Sequence, residues 1–489
     1  MKIISDQELT EHLKRLNRWW DGPARIDPTT DALSPRAYLP AIRELLTDLR
    51  LRRAVVLLGP RRVGKTILIR HLIRDLMQSG VAPARIAYVE VDHPLLHGQS
   101  LESLVRRMIA ASGDESEGVR YLFFDEIQYM KDWERHLKAL VDHRPELRIL
   151  VSGSAAAALR RQSTESGAGR FTDFLLPPLT FPEYLELGGE TPAIRTDARG
   201  FYAVSDLVRL NRQFVEYVNF GGYPELALSE HLRTDPERFV RSDIVDKVLL
   251  RDLPQLYGIN DIQELNNLFT LLAYNSGEIV SLEGLAQRSG IGKPTISRYI
   301  EYLEAAFLLK RLFRVDQSGR RYQRERSFKV YLTNPAMRTG LFGPLVSEDD
   351  RFGHLVETAL FAQRFHEDAK LHYARWGTDD NEVDLVETNA ALDPIFALEI
   401  KWSDRYATRP DDLSALLRFA KKCGLSQVWC TSRTEFAFTE VDGVGMSFWP
   451  AAVMAYHFGM SAVRGRLASF EARMEQEVTE QPATQDSST

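Results

Sequence analysis

The sequence contains very little cysteine, since only Cys423 and Cys430 occur among its 489 residues. Two cysteines are too few for a disulfide framework or a cysteine-rich zinc site, so we expect a reducing, cytoplasmic setting. Long apolar runs are also missing, and no segment approaches the roughly 20 apolar residues of a membrane helix. The charged segment Met1–Arg18 has no apolar core of a signal peptide. We therefore expect no membrane partner.

The chain has no excess of positive charge either. Its 62 Lys and Arg face 68 Asp and Glu, which gives a net charge of −6. This balance excludes a wholly basic nucleic-acid coat but not a local basic patch. A chain of this length is too large for one hydrophobic core, so we expect roughly two to four domains.

Short apolar runs alternate with amphipathic stretches after Arg53. Four runs are predicted to be buried strands: Ala54–Leu58, Ile86–Val91, Tyr121–Phe124 and Arg148–Val151. Segments such as Thr66–Gln78 and Leu101–Ala110 between them are predicted to be helices. Alternation of this kind predicts a parallel sheet with helices on both faces.

A phosphate-binding loop follows the first predicted strand. The segment fits G-x-x-x-x-G-K-[ST], with a strand before it and a helix after it. It consists of Gly59, Pro60, Arg61, Arg62, Val63, Gly64, Lys65 and Thr66. Backbone N–H groups of such a loop attract phosphates. Lys65 is expected to reach the β- and γ-phosphates of ATP, and Thr66 to offer its hydroxyl to Mg²⁺.

Two carboxylates end the third predicted strand. Asp125 is expected near the metal, and Glu126 is expected to orient or deprotonate the attacking water as a catalytic residue. Ser152, after the next strand, suits a polar sensor of the γ-phosphate, although a turn-capping role fits it equally well.

These motifs, with several later ones, resemble a prokaryotic family of AAA+-type ATPases that carry a C-terminal domain of the DUF4143 type. The resemblance covers about residues 36–449. The further motifs are Asp125-Glu126-Ile127-Gln128, Trp133, Ser152-Gly153-Ser154, Gly169-Arg170, Pro178-Leu179-Thr180-Phe181, Phe220-Gly221-Gly222-Tyr223-Pro224-Glu225 and Arg251-Asp252-Leu253. The resemblance implies that Arg170 or Arg251 contributes to the nucleotide site, as a finger on a neighbour's phosphate.

A helix-turn-helix is predicted over residues 281–307. Ser281 caps a first helix that ends at Gly290, and Pro294 lies in the first turn of a second helix. Ile296, Tyr299, Ile300, Leu303 and Phe307 have the spacing of a core face. Thr295, Ser297, Arg298 and Tyr302 are left to face a groove.

The segment Lys310–Tyr331 then holds eight bases and two acids. The bases are Lys310, Arg311, Arg314, Arg320, Arg321, Arg324, Arg326 and Lys329. Such a ribbon suits a wing against DNA phosphates. A structural winged helix between domains with a solvated ribbon is the alternative.

Carboxylates and a lysine recur in the C-terminal part. Glu399 and Lys401 share a strand face, and Asp384 lies on the neighbouring strand. With Glu357 on a preceding helix, the order resembles the PD-(D/E)xK nucleases. That resemblance implies catalytic roles for all four residues, with Mg²⁺ held by Asp384 and Glu399. The departure is that no Pro precedes Asp384. A salt-bridged surface in a structural or partner-binding domain is the alternative.

We therefore predict an α/β protein: a P-loop, AAA+-like ATPase with a helical lid, a winged helix-turn-helix and a C-terminal α/β domain of PD-(D/E)xK type. The expected division is a helical segment (1–50), the ATPase core (51–190), the lid (191–258), the winged helix (259–340), the nuclease-like domain (341–460) and a disordered tail (461–489). ATP and Mg²⁺ are the expected cofactors, with DNA and further copies of the chain as partners. An ATP-dependent switch or scaffold that binds without cutting is the main alternative, and a winged-helix transcription regulator is a third.

Overall fold

Two sheets and the helices around them make up the protein. The structure is a computed structural model. It describes residues 6–22, 28–153, 169–189, 193–196, 202–316, 318–320, 327–364, 370–377 and 381–480.

The first sheet has five parallel strands in the order β2-β3-β4-β1-β5. The strands are β1 (Ala54–Leu58), β2 (Ile86–Glu90), β3 (Arg120–Asp125), β4 (Leu147–Gly153) and β5 (Phe171–Leu175). Each end of the four predicted strands falls within two residues of the prediction. The carboxyl ends of β1, β3 and β4 meet at one edge, which is where ligands bind in open parallel sheets.

Amphipathic helices cover both faces of this sheet. The longer ones are Asp6–Leu16, Leu39–Thr47, Lys65–Gln78, Leu101–Ser112 and Trp133–His143. Shorter helices and turns are Arg18–Trp20, Pro28–Asp31, Pro83–Arg85, Pro94–Leu96 and Ile127–Tyr129. Their apolar sides form separate cores on the two faces of the sheet, one containing Trp133 and the other Ile69.

A helical region lies between the sheets. Helix Phe181–Leu187 and the hairpin of β6 (Ile194–Thr196) and β7 (Tyr202–Val204) begin it. The α-helices that follow are Leu207–Phe220, Pro224–Leu228, Glu230–Thr234, Leu253–Tyr257 and Ile262–Tyr274. Segments Arg238–Val245 and Val248–Asp252 are wound as π-helix, a form often found at functional sites.

The chain enters the second sheet at Ile279–Ser281, continues through helices Leu282–Ser289 and Lys293–Ala305, and then returns to that sheet. This sheet has nine strands in the order β15-β16-β14-β13-β12-β11-β9-β10-β8. The strands are β8 (Ile279–Ser281), β9 (Leu309–Val315), β10 (Ser327–Leu332), β11 (Lys370–Trp376), β12 (Asn381–Thr388), β13 (Pro394–Glu399), β14 (Gln427–Ser432), β15 (Ala437–Val441) and β16 (Val444–Pro450). Because β9 pairs in parallel with β11, one sheet runs across the division expected at residue 340.

The last helix corrects the expected tail. The remaining helices are Ala336–Phe342, Phe352–Arg364, Arg405–Thr408, Pro410–Leu413, Ser414–Cys423 and Ala451–Glu480. The prediction of a disordered tail from residue 461 was wrong for the first part of that segment, because helix Ala451–Glu480 continues there and Ala462 is buried. Residues 481–489 lie outside the described part. No described helix is long and apolar enough to cross a membrane.

Candidate functional site

The phosphate-binding loop turns sharply between β1 and helix Lys65–Gln78. Gly59 has a φ of +155°, and a Cβ there would lie 2.4 Å from the Leu176 carbonyl oxygen. Gly64 has a φ of +91° and caps the helix. Only glycine suits these two positions, because one lacks room for a side chain and both use a conformation that other residues rarely adopt.

The Lys65 side chain is buried inside this loop. Its Nζ donates to the carbonyl oxygens of Gly59 at 2.9 Å and Pro60 at 2.8 Å. Burial lowers the pKa of Lys65, while the nearby Glu126 and Asp125 carboxylates oppose that shift. The ammonium is thus held in the loop by weak neutral acceptors that an anionic ligand can replace.

Asp125 is the centre of a polar cluster at the same sheet edge. It accepts hydrogen bonds from the Thr66 hydroxyl at 2.6 Å, from the Tyr88 hydroxyl at 3.1 Å and from Ser152. Thr66, Asp125 and Ser152 therefore come together in the structure. Oxygen donors of this kind suit Mg²⁺, so the residues present fit a nucleotide-bound magnesium ion.

Tyr88 was missed from the sequence. It lies on β2 beside β3, and its hydroxyl also contacts Glu90 at 3.0 Å. Burial and the Asp125 charge raise its pKa. A tyrosine within an apolar strand ordinarily indicates core packing, so no sequence signal distinguished it.

Glu126 occupies a left-handed backbone conformation, with a φ of +57°. Such conformations are costly for residues other than glycine and concentrate at functional sites. The Glu126 N–H donates to Ser152 Oγ at 3.3 Å, and Gln128 donates to the Glu126 carboxylate. The carboxylate is thereby held beside the phosphate-binding loop, within electrostatic reach of Lys65.

Both loop arginines are paired with carboxylates of the helical region. Arg61 forms a bidentate pair with Asp252 at 2.7 and 2.8 Å. Arg62 contacts Glu225 at 2.9 Å and Asp243 at 3.8 Å. Asp252 and Glu225, which belong to motifs far from the loop in sequence, thus contact the loop, and their spacing along the chain did not predict these contacts.

The two candidate arginine fingers differ in their placement. Arg170 precedes β5, and its carbonyl oxygen accepts from the Ala54 N–H at the start of β1. Because the loop follows the other end of β1, Arg170 is not brought to its own chain's phosphate site, and its side chain pairs with Asp142 at 2.6 Å. Arg251 is exposed. A role for either toward a neighbouring copy stays a prediction.

The four predicted C-terminal residues do come together. Lys401 Nζ lies 2.7 Å from Glu399 Oε1 and 3.9 Å from Asp384 Oδ2. Asp384 Oδ2 also accepts the Ile400 N–H at 2.9 Å. Together with Glu357 they line a cleft of about 800 Å³.

Lys329 lies in the middle of this cluster. Its Nζ is 2.6 Å from Glu382, 2.7 Å from Glu357 and 3.0 Å from Asp384. Its side chain is 2% exposed. The expectation that Lys329 contacts DNA phosphates was therefore wrong, and so was the alternative that it is solvated, because its side chain is buried and its strand is an interior member of the nine-stranded sheet.

Glu399 retains one unsatisfied oxygen. Its Oε2 is buried and has no hydrogen-bond partner among the described residues. Burial and the Asp384 charge raise the pKa of Glu399 to about 8. Such an orphaned buried carboxylate oxygen fits a cation, which would favour the charged form.

A metal centre is not otherwise defined by the side chains. Within the described ranges, no group of three or more His, Cys, Asp or Glu is placed to hold a metal ion. Asp384 and Glu399 as metal ligands therefore stay a prediction.

The predicted helix-turn-helix segment is partly engaged in packing. In helix Lys293–Ala305 the side chains of Ile296, Tyr299, Ile300 and Leu303 are buried. Tyr302, expected to face a groove, stacks on Tyr257 with ring centroids 3.6 Å apart. Arg298 is exposed.

The basic ribbon is also less available than expected. Arg311 donates two guanidinium hydrogen bonds to Glu304 Oε2, from Nε at 2.9 Å and from Nη2 at 2.6 Å. Arg321, Arg324 and Arg326 lie outside the described residues. DNA binding by this segment stays a prediction.

Two family models match separate segments of the chain. A family model described as an AAA domain matches residues 51–185, the five-stranded sheet with its loop. The chain has an AAA-type nucleotide-binding domain. A domain of unknown function, DUF8612, matches residues 211–345, which carry Asp252 and Lys329. The expected DUF4143 and PD-(D/E)xK assignments of the C-terminal domain are not confirmed.

Curated relatives extend over most of the chain. An uncharacterized protein of Haemophilus influenzae is 23% identical over 399 residues, which cover 80% of this chain and 91% of that one. An uncharacterized protein of Methanocaldococcus jannaschii is 24% identical, covering 52% of this chain and 55% of that one. The similarity therefore includes residues beyond the AAA domain.

Solved structures with detectable similarity are distant. The Aeropyrum pernix ORC1 protein in complex with DNA is 15% identical, covers 66% of this chain and 95% of that chain, and has a TM-score of 0.28. The replication initiator DnaA bound to AMPPCP and single-stranded DNA is 14% identical, covers 57% of this chain and 93% of that chain, and has a TM-score of 0.29. At these scores the likenesses carry no conclusion about this chain.

Proposed function

We propose that the protein binds and hydrolyses ATP and couples its nucleotide state to a divalent-cation-dependent nuclease-like site that acts on DNA. The observation that carries the ATPase part is the Asp125 cluster, which joins Thr66, Tyr88 and Ser152 beside the phosphate-binding loop. We expect the protein to work in the cytoplasm and to assemble with further copies of itself.

Each residue of the nucleotide site has a chemical role in this proposal. Lys65 exchanges its two carbonyl partners for phosphate oxygens, and Glu126 orients the attacking water. Thr66 and Asp125 would hold Mg²⁺, which when bound neutralises phosphate charge. Ser152 positions Asp125 and the Glu126 backbone through its hydroxyl.

The coupling is supported by the ion pairs between the loop and the helical region. Arg61 and Arg62 stand inside the phosphate-binding motif, yet both are held by carboxylates of that region. Phosphates of a nucleotide compete for the same guanidinium groups. Nucleotide binding thereby loosens or shifts the helices that lead into the nine-stranded sheet.

The nuclease-like part is supported by the C-terminal cluster. Glu357, Asp384, Glu399 and Lys401 line one cleft, and Glu399 offers an unpaired buried oxygen. Asp384 and Glu399 would hold the divalent cation, which supplies Lewis-acid activation of water. Lys401 stabilises the developing charge on the phosphate, and Glu357 holds the cluster's geometry.

Two variants test the two parts separately. Lys65→Ala should abolish ATP hydrolysis, and Asp384→Ala should abolish cleavage of linear, circular, single-stranded and branched DNA while ATPase activity persists. Asp393→Ala, an exposed turn residue of the same domain, is the matched control. Absence of cutting by the wild type under every nucleotide condition, with Mg²⁺ or Mn²⁺, refutes the nuclease part.

A second candidate is favoured by Lys329. Because the Lys329 ammonium already pairs with Glu357, Glu382 and Asp384, it occupies part of the space that a metal ion would need, and the cleft then suits a scaffold that binds DNA or protein without cutting. Calorimetry with Mn²⁺ distinguishes the two functions, since only the nuclease requires the cluster to bind the ion.

A further inference from the structure

Strand β10 faces two different environments. Phe328, Val330 and Leu332 pack into the core of the helical region. Because side chains alternate along a strand, Lys329 and Tyr331 point to the opposite face. Both contact Glu357 there, so the strand that anchors the helical region also enters the carboxylate cluster.

The carboxylates of the cluster outnumber its cationic groups. Glu357, Glu382, Asp384 and Glu399 face the ammonium groups of Lys329 and Lys401, and the Arg375 guanidinium lies 3.8 Å from Glu382. Four negative and three positive charges leave −1 when all are ionised, so a bound cation would meet an excess of negative charge. The unpaired Glu399 Oε2 marks the side of the cluster that lacks a partner.

Lys329 and a divalent cation would share one ligand. Asp384 Oδ1 binds Lys329 at 3.0 Å, while its Oδ2 accepts the Ile400 N–H and faces Lys401. A cation between Asp384 and Glu399 must therefore share Asp384 with Lys329. Two positive charges on one carboxylate repel each other, so the lysine weakens the binding of the ion.

We propose that Lys329 is a positioning residue that acts as a tethered cation, holding Glu357 and Asp384 in place and setting the affinity of the cluster for divalent ions. This inference rests on the proposed divalent-cation site. Since the apolar face of β10 packs into the core of the helical region, a displacement of that region would change how firmly Lys329 holds Asp384. The ion affinity thereby becomes sensitive to the region that contacts the nucleotide loop.

The test compares Lys329→Met with Lys421→Met in the full chain. Lys421 makes the matched charge change, since it pairs with the exposed Asp442 elsewhere in the same domain. We expect Lys329→Met to bind Mn²⁺ at least tenfold more tightly than the wild type in calorimetry. Its melting temperature should fall in EDTA and recover with Mn²⁺, whereas Lys421→Met should behave as the wild type in both measurements.

A double variant keeps the test valid if Lys329→Met alone fails to fold. Lys329→Met with Glu357→Gln removes one charge of each sign, and it should fold and still bind Mn²⁺ more tightly than the wild type. Unchanged or weaker Mn²⁺ binding in both variants, or an equal melting loss with and without Mn²⁺, overturns the inference. A wild type that never cuts DNA while Lys329→Met binds Mn²⁺ more tightly refutes only the nuclease proposal. Cutting without an effect of Lys329→Met refutes only the inference.

Discussion

The pair between Arg61 and Asp252 offers a direct test of how nucleotide binding reaches the rest of the chain. Asp252→Asn keeps the shape of the side chain and removes its charge. If phosphates and Asp252 compete for the Arg61 guanidinium, the variant should bind ATP more tightly than the wild type.

The size of the effect follows from the geometry of the pair. The side chains are 21% and 12% exposed, and two hydrogen bonds join them. Unit charges about 4 Å apart attract by about 4 kcal/mol at an effective dielectric constant near 20. Loss of hydration offsets part of this attraction, so we expect a net coupling of about 1–3 kcal/mol, which corresponds to about 5- to 150-fold in affinity.

Titration with a fluorescent ATP analogue measures this affinity. Asp243→Asn is the matched control, because Asp243 lies 3.8 Å from Arg62 in a pair that is 40% exposed on both sides. We expect Asp243→Asn to change the binding free energy of ATP by less than about 0.5 kcal/mol, as for other exposed ion pairs. Adding Arg61→Ala to Asp252→Asn should remove the gain. An unchanged affinity in Asp252→Asn, or an equal gain in Asp243→Asn, would refute the competition.

Three further predictions concern the free energy of unfolding of the part of the chain built around the five-stranded sheet. Gly59→Ala should lower the free energy of unfolding by about 3 kcal/mol or more and should abolish ATP binding, because its Cβ would meet the Leu176 carbonyl oxygen at 2.4 Å. Gly80→Ala is the control, because Gly80 has a φ of +93° in open space; urea denaturation should show a loss of only about 1 kcal/mol. Glu183→Gln should lower the free energy of unfolding by about 3–5 kcal/mol, because it leaves the buried Arg36 without its carboxylate partner in a contact that is 5% and 2% exposed, and a loss below about 1 kcal/mol would contradict this reasoning. Burial and the neighbouring His93 lower the pKa of His12 from 6.5 to about 4, so the unfolded chain takes up a proton there first as the pH falls. The stability present above pH 6.5 should therefore decline by up to about 1.4 kcal/mol per pH unit toward pH 4, and a His12→Gln variant with an equally steep pH profile would argue against this assignment.

The fold of the AAA domain was largely predictable from the sequence. Its strands are continuous apolar runs, and parallel strands end at one edge, so the positions of Thr66, Asp125 and Ser152 followed from topology. The position of Arg170 did not follow in the same way, because no strand was predicted over Phe171–Leu175. Arg170 directly precedes β5 and lies at the end away from the loop.

The C-terminal cluster was predictable only in part. Glu399 and Lys401 were expected together because of strand alternation, and Asp384 because of the adjoining strand. Lys329 stands 55 positions before Asp384 on a strand that reaches the cluster through long-range pairing. A basic run indicates a charged surface only when its strand lies at an exposed edge, and local sequence does not specify that edge.

The parallel pairing of β9 with β11 has a consequence for how this chain can be divided. A chain that ended near residue 344 would leave the backbone N–H and C=O groups of β9 without their neighbour on that side. An uncovered strand edge recruits other chains, and aggregation or strand exchange follows. The residues that match DUF8612 and those that follow them therefore share one sheet, and we expect a division near residue 344 to disrupt the folding of both parts.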